Sequence, residues 1–238
     1  MRALLRARRG ELLGLRQALP SLSVIVPTLN AAATVGECLK RVQAADEIIV
    51  VDGGSQDDTE QVARQAGAKV IETSRGRGVQ LREGAEAATG EWLLFLHADT
   101  LLCDGWHEAV LDHIAGHPDA AAYFTFLLDD ASWQARLLER GVALRGRILA
   151  LPYGDQGLLI SRHHYQALGG FRPLPLMEDV DLIRRISRRR LRRLDVAAVT
   201  SAERWRRDGW WRRSARNLSC LALYGLGVAP SRIARLYG

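Results

Sequence analysis

The chain has 238 residues, 47% apolar and 25% charged, with a formal net charge of +6. This is the composition of one globular domain with a full core, not of a disordered or fibrous chain. Of its 33 basic residues only Lys40 and Lys69 are lysine, a skew that tracks genome composition more than nucleic-acid chemistry. Cys38, Cys103 and Cys220 are few and far apart, which excludes a disulfide framework and a zinc cluster and favours a reducing compartment. The basic start is followed by no continuous apolar core, so no leader is expected. Nothing approaches the ~18 apolar residues of a membrane span, and the expected location is cytoplasmic.

Residues 1–20, rich in Arg and Leu, read as a basic helix ahead of the main domain. An alternation follows. Strand Leu22–Val26 leads to a helix at Thr34–Ala44, with Thr34 and Glu37 spaced as a capping box. Strand Glu47–Val51 leads to a helix near Asp57–Gln65, strand Lys69–Glu72 to one near Val79–Ala88, and strand Trp92–Leu96 to one near Gly105–Gly116. Strand and helix at this spacing predict an α/β fold: a Rossmann-like, mostly parallel sheet with helices on both faces. Beyond it the reading is a strand at Ala120–Leu128, a helix at Trp133–Leu149 and a strand at Gln156–Ser161. A helix at Glu178–Arg190, a strand near Leu194–Val199 and a helical tail from Trp205 complete the chain. The expected division is 1–20, a main domain 21–203, and an Arg/Trp-rich extension 204–238.

Chemistry concentrates at strand ends. Trp92–Leu96 runs into His97-Ala98-Asp99, and Ile48–Val51 into Asp52-Gly53-Gly54-Ser55. Ligands of open α/β sheets sit beyond the carboxyl ends of the strands, where a carboxylate can hold a hard cation against phosphate oxygens. A turn or cap role for Asp99 is the plain alternative. The first strand lacks the glycine fingerprint of dinucleotide folds, and there is no phosphate loop. A bound diphosphate would therefore need a metal and arginines. Arg75 and Arg77, in Ser74-Arg75-Gly76-Arg77-Gly78, suit that role, or form a solvated basic turn. Glu178 and Asp179 stand where a helix begins, either as cap residues against its dipole or as a general base.

Pro27–Asn30, Val51–Asp57, Leu96–Asp99 and Gly170-Phe171 followed by Glu178-Asp179 together resemble the family 2 nucleotide-sugar glycosyltransferases over residues 22–200. Arg75–Arg77, His97 and Tyr153–Gly157 look closest to small bacterial members near the carotenoid-acid glucosyltransferases. The resemblance implies a GT-A fold and a metal-dependent, inverting transfer, with a hexose expected. The donor implied is a nucleoside-diphosphate sugar, UDP favoured over GDP, and the metal Mn²⁺ or Mg²⁺. Pro27, Asn30 and Asp52 would line base and ribose, and Arg75 and Arg77 the diphosphate. Asp99 would hold the metal and Asp179 would be the general base, with Glu178, Asp155, Gln156 and Trp205 on the acceptor side.

There are departures. His97 replaces the first carboxylate of the family's Asp-x-Asp motif; it either ligates the metal, favouring Mn²⁺, or touches only ribose or water. Arg204-Trp205 matches the end of the processive synthases' Gln-x-x-Arg-Trp motif, but Ser201 stands where Gln belongs. The acceptor stays open, a lipid or a carotenoid acid being candidates. The Arg/Trp tail reads as packing, as an attachment to an anionic membrane on its inner face, or as a nucleic-acid surface; no specific nucleic acid is expected. Two rivals stand beside the transferase. A nucleotidyltransferase would carry a Gly-rich basic loop where this chain has Leu29–Ala33. A non-catalytic basic module would not hydrolyse a donor.

Overall fold

The computed structural model describes residues 20–149, 151–152 and 154–237. The predicted helix of residues 1–20 falls, apart from Pro20, outside the described residues, as does Tyr153. Strands β1 (Leu22–Thr28), β2 (Glu47–Asp52), β3 (Lys69–Glu72) and β4 (Trp92–Phe95) pair in parallel in the order β3-β2-β1-β4. They alternate with helices α1 (Ala32–Arg41), α2 (Thr59–Gln65) and α3 (Arg77–Ala87). Successive side chains of a strand point to opposite faces. Val24 and Val26 accordingly join one apolar cluster, with Val35, Leu39 and Ala63 of α1 and α2. Ile25, Ile49 and Val51 join the other, with Leu81 and Ala85 of α3. Both faces of β1, β2 and β4 are covered, which is why these three strands read as largely apolar runs. At Gly84 a Cβ would lie 2.5 Å from Ile25 Cγ2, so α3 rests directly on the sheet.

The far half departs from the expected pattern. The remaining order is β7 (Leu158–Ser161), β6 (Ala121–Leu128), β8 (Leu191–Thr200), β5 (Thr100–Leu102). β6 and β8 are parallel, whereas β7 is antiparallel to β4 and β6, and β5 to β8. A strand buried on both faces carries no sign of its direction, so the alternation anticipated only the half built of crossovers. β5, the short helix α6 (Arg162–Ala167) and the turn at Gly154–Gln156 were not anticipated. Helices α4 (Trp106–Gly116) and α5 (Trp133–Leu149) lie where the sequence predicts them.

Three local expectations are corrected. α1 starts at Ala32 with no side-chain cap; Thr59 Oγ1 and Asp57 Oδ2 accept from the N–H groups of Ala31 and Ala32. The neighbouring loop thus does the work expected of Thr34 and Glu37. Helix α7 (Glu178–Arg185) stops short of Arg190 because buried Ile186 turns extended. The tail is three helices, α8 (Glu203–Asp208), α9 (Trp210–Gly225) and α10 (Pro230–Tyr237), broken where Gly209 and Gly227 take φ +84°, a conformation glycine adopts freely. No described helix is long and apolar enough to cross a membrane.

Candidate functional site

In-register pairing of Thr28 with Asp52, and of Ile25 with Phe95, brings the ends of β1, β2 and β4 to one rim. Two cavities open there. An outer cleft of about 570 Å³ is lined by Pro27, Asn30, Arg75, Arg77, His97, Asp99 and Glu178, among others. An inner pocket of about 160 Å³ is lined by Asp155, Asp179, Trp205, Arg213 and Asn217. Arg77, His97, Asp99, Glu178, Ser201 and Arg204 border both. The two spaces therefore meet at the tip of β4.

Two sequence-predicted residues stand outside both cavities. Asp52 is fully buried. Its carboxylate accepts from Thr28 Oγ1 at 2.8 Å, Ser55 Oγ at 2.6 Å, and the N–H groups of Gly54 and Ser55. Burial alone would raise its pKa, but these hydrogen bonds outweigh burial and lower it. Asp52 shapes the loop after β2 and does not face the cleft. Gln156 is likewise buried and donates to the carbonyl of Phe124 at 3.2 Å. Asn30 lines the cleft in a left-handed conformation, φ +50°. Its Oδ1 accepts from Gln56 N and its own N–H donates to Ser55 Oγ, both at 2.8 Å. The loops after β1 and β2 are thereby tied into one wall.

Arg77 organises the junction. Its Nε lies 2.9 Å from Glu178 Oε1, and its Nη2 donates to His97 Nε2 at 2.7 Å. A guanidinium only donates, so His97 Nε2 is the bare acceptor and the ring is neutral. Burial, then the charges of Arg77 and Arg204, push the His97 pKa well below its ordinary value. The lone pair a metal would use is engaged by Arg77. Arg77 itself is placed by the entry of α3: a Cβ at Gly78 would lie 2.4 Å from the carbonyl oxygen of Arg172. Only glycine lets the loop before α7 come this close. That loop ends at Met177, φ +67°, and delivers Glu178 and Asp179 into the first turn of α7. Neither is the cap residue.

Four carboxylates surround Arg77: Glu178, Asp179, Asp155 and Asp99. Burial raises the pKa of Glu178, Arg77 opposing and Asp179 adding to the rise. Asp155 is pushed up to about 6, by burial first, with Asp179 and Asp99 adding to it against Arg145 and Arg77. Asp99 is partly exposed, with Arg204 Nη2 at 3.9 Å. Among the described residues no three His, Cys, Asp or Glu side chains form a metal cage. One carboxylate beside an open cleft still fits a hard cation that takes its other oxygens from phosphate and water.

Sequence reading missed several lining residues. Gln80 on α3 donates to the carbonyls of Thr28 and Val51 at 2.7 and 2.8 Å and so clamps the strand ends. Arg213, Asn217 and Cys220 come from α9, whose composition signals surface and gives no hint of the pocket. Trp205 is buried against Phe126, Leu128 and Ala135, with the Arg213 guanidinium 5.1 Å from its ring centre.

Comparison with known proteins agrees with this fold. A PGL/p-HBAD biosynthesis glycosyltransferase of Mycobacterium tuberculosis is 38% identical over 96 residues, 36% of this chain and 38% of the relative. Glucosyl-3-phosphoglycerate synthase of Mycolicibacterium smegmatis is 32% identical over 116 residues, 37% of this chain and 38% of the relative. The chain thus spans under two fifths of the length of these curated relatives. In fold it is similar to the crystal structure of glucosyl-3-phosphoglycerate synthase from Mycobacterium tuberculosis in complex with Mn²⁺, UDP and phosphoglyceric acid. There the TM-score is 0.59 at 21% identity, covering 80% of this chain and 74% of that one. The glycosyl transferase family 2 profile matches residues 23–169, more than half of the chain, and the protein belongs to that family.

Proposed function

We propose that this protein is an inverting, metal-dependent glycosyltransferase that moves a sugar, a hexose by preference, from a UDP-sugar to an acceptor held in the inner pocket. The observation that carries this reading is the meeting of two cavities at one junction. Arg75 and Asn30 line only the outer one, Asp155 and Asp179 only the inner one, and Arg77, Asp99 and Glu178 line both. A donor in the cleft and an acceptor in the pocket would touch there.

Pro27 and Asn30 would border the base and ribose, with Asp52 supporting them from beneath. Asp99 would hold Mn²⁺ or Mg²⁺ against the diphosphate; when bound, the cation supplies positive charge to the leaving group. Arg75 and Arg77 supply the rest. Asp179 would take the proton of the acceptor hydroxyl as its oxygen bonds to the anomeric carbon and the bond to the diphosphate breaks. Glu178 is held by Arg77 at 2.9 Å, and its part is to fix that guanidinium at the junction. In the relatives' complexes Mn²⁺ accompanies UDP, which supports the same pairing here. The expected result is release of UDP from UDP-glucose by the purified protein with Mn²⁺ and none in chelator. Release that ignores chelator, or none under any condition, would refute the proposal.

The acceptor is a hydroxyl-bearing small molecule or the polar end of a larger one, a lipid or carotenoid acid included. An anionic membrane surface belongs to the same reading. Of Trp205, Trp210 and Trp211 in the tail, only Trp211 is well exposed, at 61%; its ring lies 5.8 Å from that of Trp133, itself 64% exposed. At about 100° per residue, Leu137, Arg140 and Leu144 share the outward stripe of Trp133 on α5. Leu218 shares that of Trp211 on α9, and Arg136, Arg147 and Arg212 are exposed beside them. Aromatic and aliphatic side chains ringed by arginine suit an anionic interface. Vesicles containing phosphatidylglycerol should sediment the protein, neutral vesicles should not, and Trp133→Ala with Trp211→Ala should reduce binding severalfold. Equal partition into both vesicle types would remove this surface from the proposal.

A further inference from the structure

The lining of the inner pocket combines two chemically different sets of side chains. One set is the carboxylates Asp155 and Asp179; the other is Trp205 of α8 with Arg213 and Asn217 of α9. Trp205 and Arg213 are each only 8% exposed. Trp205 Nε1 and Arg213 Nε are both buried without a hydrogen-bond partner. Buried N–H groups are nearly always satisfied, and Arg77 Nε and Asp155 Oδ1 of the same lining also lack a hydrogen bond, so these unmet groups around one pocket call for an occupant.

Neither Trp205 nor Arg213 is free to turn and find a partner elsewhere. Arg213 Nη1 donates to Asp208 Oδ2 at 2.7 Å, and the guanidinium lies over the Trp205 ring. The ring in turn is packed beneath β6 and α5. An indole N–H and a guanidinium N–H donate and never accept. Only acceptor atoms can complete them, and an oxyanion does so best, since bonds between charged partners are the strong ones. The carboxylates of the same lining repel an anion and accept from hydroxyls, so a hydroxy compound bearing an anion would take one orientation.

Resting on the acceptor role given to this pocket, we infer that Trp205 and Arg213 form an anion subsite. The acceptor is then a hydroxy compound whose carboxylate or phosphate is bound by α8 and α9 while its hydroxyl faces Asp179. The same arrangement places acceptor choice in helices beyond residues 23–169, the stretch that matches the family. A volume of about 160 Å³ admits a small hydroxy acid or sugar-alcohol phosphate whole, or the anionic end of an amphiphile.

The test titrates the full chain, with and without UDP and Mn²⁺, by calorimetry with glycerol, glycerate and glycerol 3-phosphate. One or both anions should bind at least about tenfold more tightly than glycerol, and their order tells carboxylate from phosphate. Trp205→Phe keeps the ring beneath the guanidinium and removes only the N–H; it should weaken the anion severalfold without changing UDP affinity. Arg213→Gln should weaken the anion further. Equal affinity for all three probes, no anion binding by protein that binds UDP, or unaltered anion affinity in Trp205→Phe and Arg213→Gln would overturn the subsite. Anion binding without any UDP binding would instead strike the donor assignment.

Discussion

Replacing Asp99 by Ala should reduce the affinity for UDP in Mn²⁺ to the level seen in chelator, a loss of at least about tenfold, or ~1.4 kcal/mol. Asp99 stands at the tip of β4 and lines both cavities, with its nearest cation, Arg204, at 3.9 Å. No preformed cage exists among the described residues, so the cation would be shared between this carboxylate and the diphosphate. Metal and nucleotide should therefore bind cooperatively in the parent protein and independently in the variant. The fold should survive: a partly exposed side chain with one distant ion-pair partner contributes within about 0.5 kcal/mol of stability. Calorimetric titration of UDP with and without Mn²⁺ reads the effect, and thermal unfolding checks the fold. A folded Asp99→Ala protein that still gains affinity from Mn²⁺ would remove the metal assignment. His97→Ala separates the alternatives for the neighbouring imidazole. Its Nε2 is engaged by Arg77, so the response to Mn²⁺ should persist.

Asp179→Asn should lower turnover with a hydroxyl acceptor by roughly 10²–10⁴-fold, the usual worth of a positioned general base, with donor affinity nearly unchanged. Asn keeps the size of Asp and much of its hydrogen bonding, and loses its basicity. Asp179 lies in the first turn of α7 behind Met177, where its Oδ1 accepts from the N–H of Val180 at 2.7 Å; the amide oxygen of Asn can accept the same bond, so loss of this helix contact does not account for lost turnover. Glu178→Gln is the matched control. It breaks the ion pair with Arg77 at 2.9 Å and should act on diphosphate affinity more than on proton transfer. Single-turnover transfer from a labelled sugar nucleotide distinguishes the two. Wild-type turnover in Asp179→Asn would pass the role to Asp155, whose pKa of about 6 lets it accept a proton near neutrality.

The parallel half of the fold was legible because β1, β2 and β4 are largely apolar runs separated by polar segments long enough for a helix. Ile48–Val51 and Trp92–Leu96 can only be strands buried on both faces, and the polar residues that follow them must lie at a sheet rim. That placed Pro27, Asn30, Arg77 and Asp99 near one another before any coordinates. Whether a rim residue faces the cleft was not legible. Asp52 and Asp99 both end apolar strands, yet Asp52 is consumed by four hydrogen bonds under its own loop, and Asp99 opens into the cavities.

Strand end and side-chain type thus came from local sequence, because hydrophobic periodicity is a local property. Direction and contact came from tertiary structure, because they depend on partners far along the chain. The antiparallel entry of β7 is made by its pairing with β4 and β6, both distant in the chain. The capping of α1 is set by Asp57 and Thr59, more than twenty positions away. The tail shows the difference most fully. Its alternation of Arg and Trp describes a surface, but Gly209 and Gly227 fold it back in three helices. Trp205 then packs under β6, Arg213 and Asn217 close the inner pocket, and Trp211 meets Trp133 outside. Sequence determined that a rim of carboxylates and arginines exists; the packing of α7, α8 and α9 over it decided that the rim has two chambers.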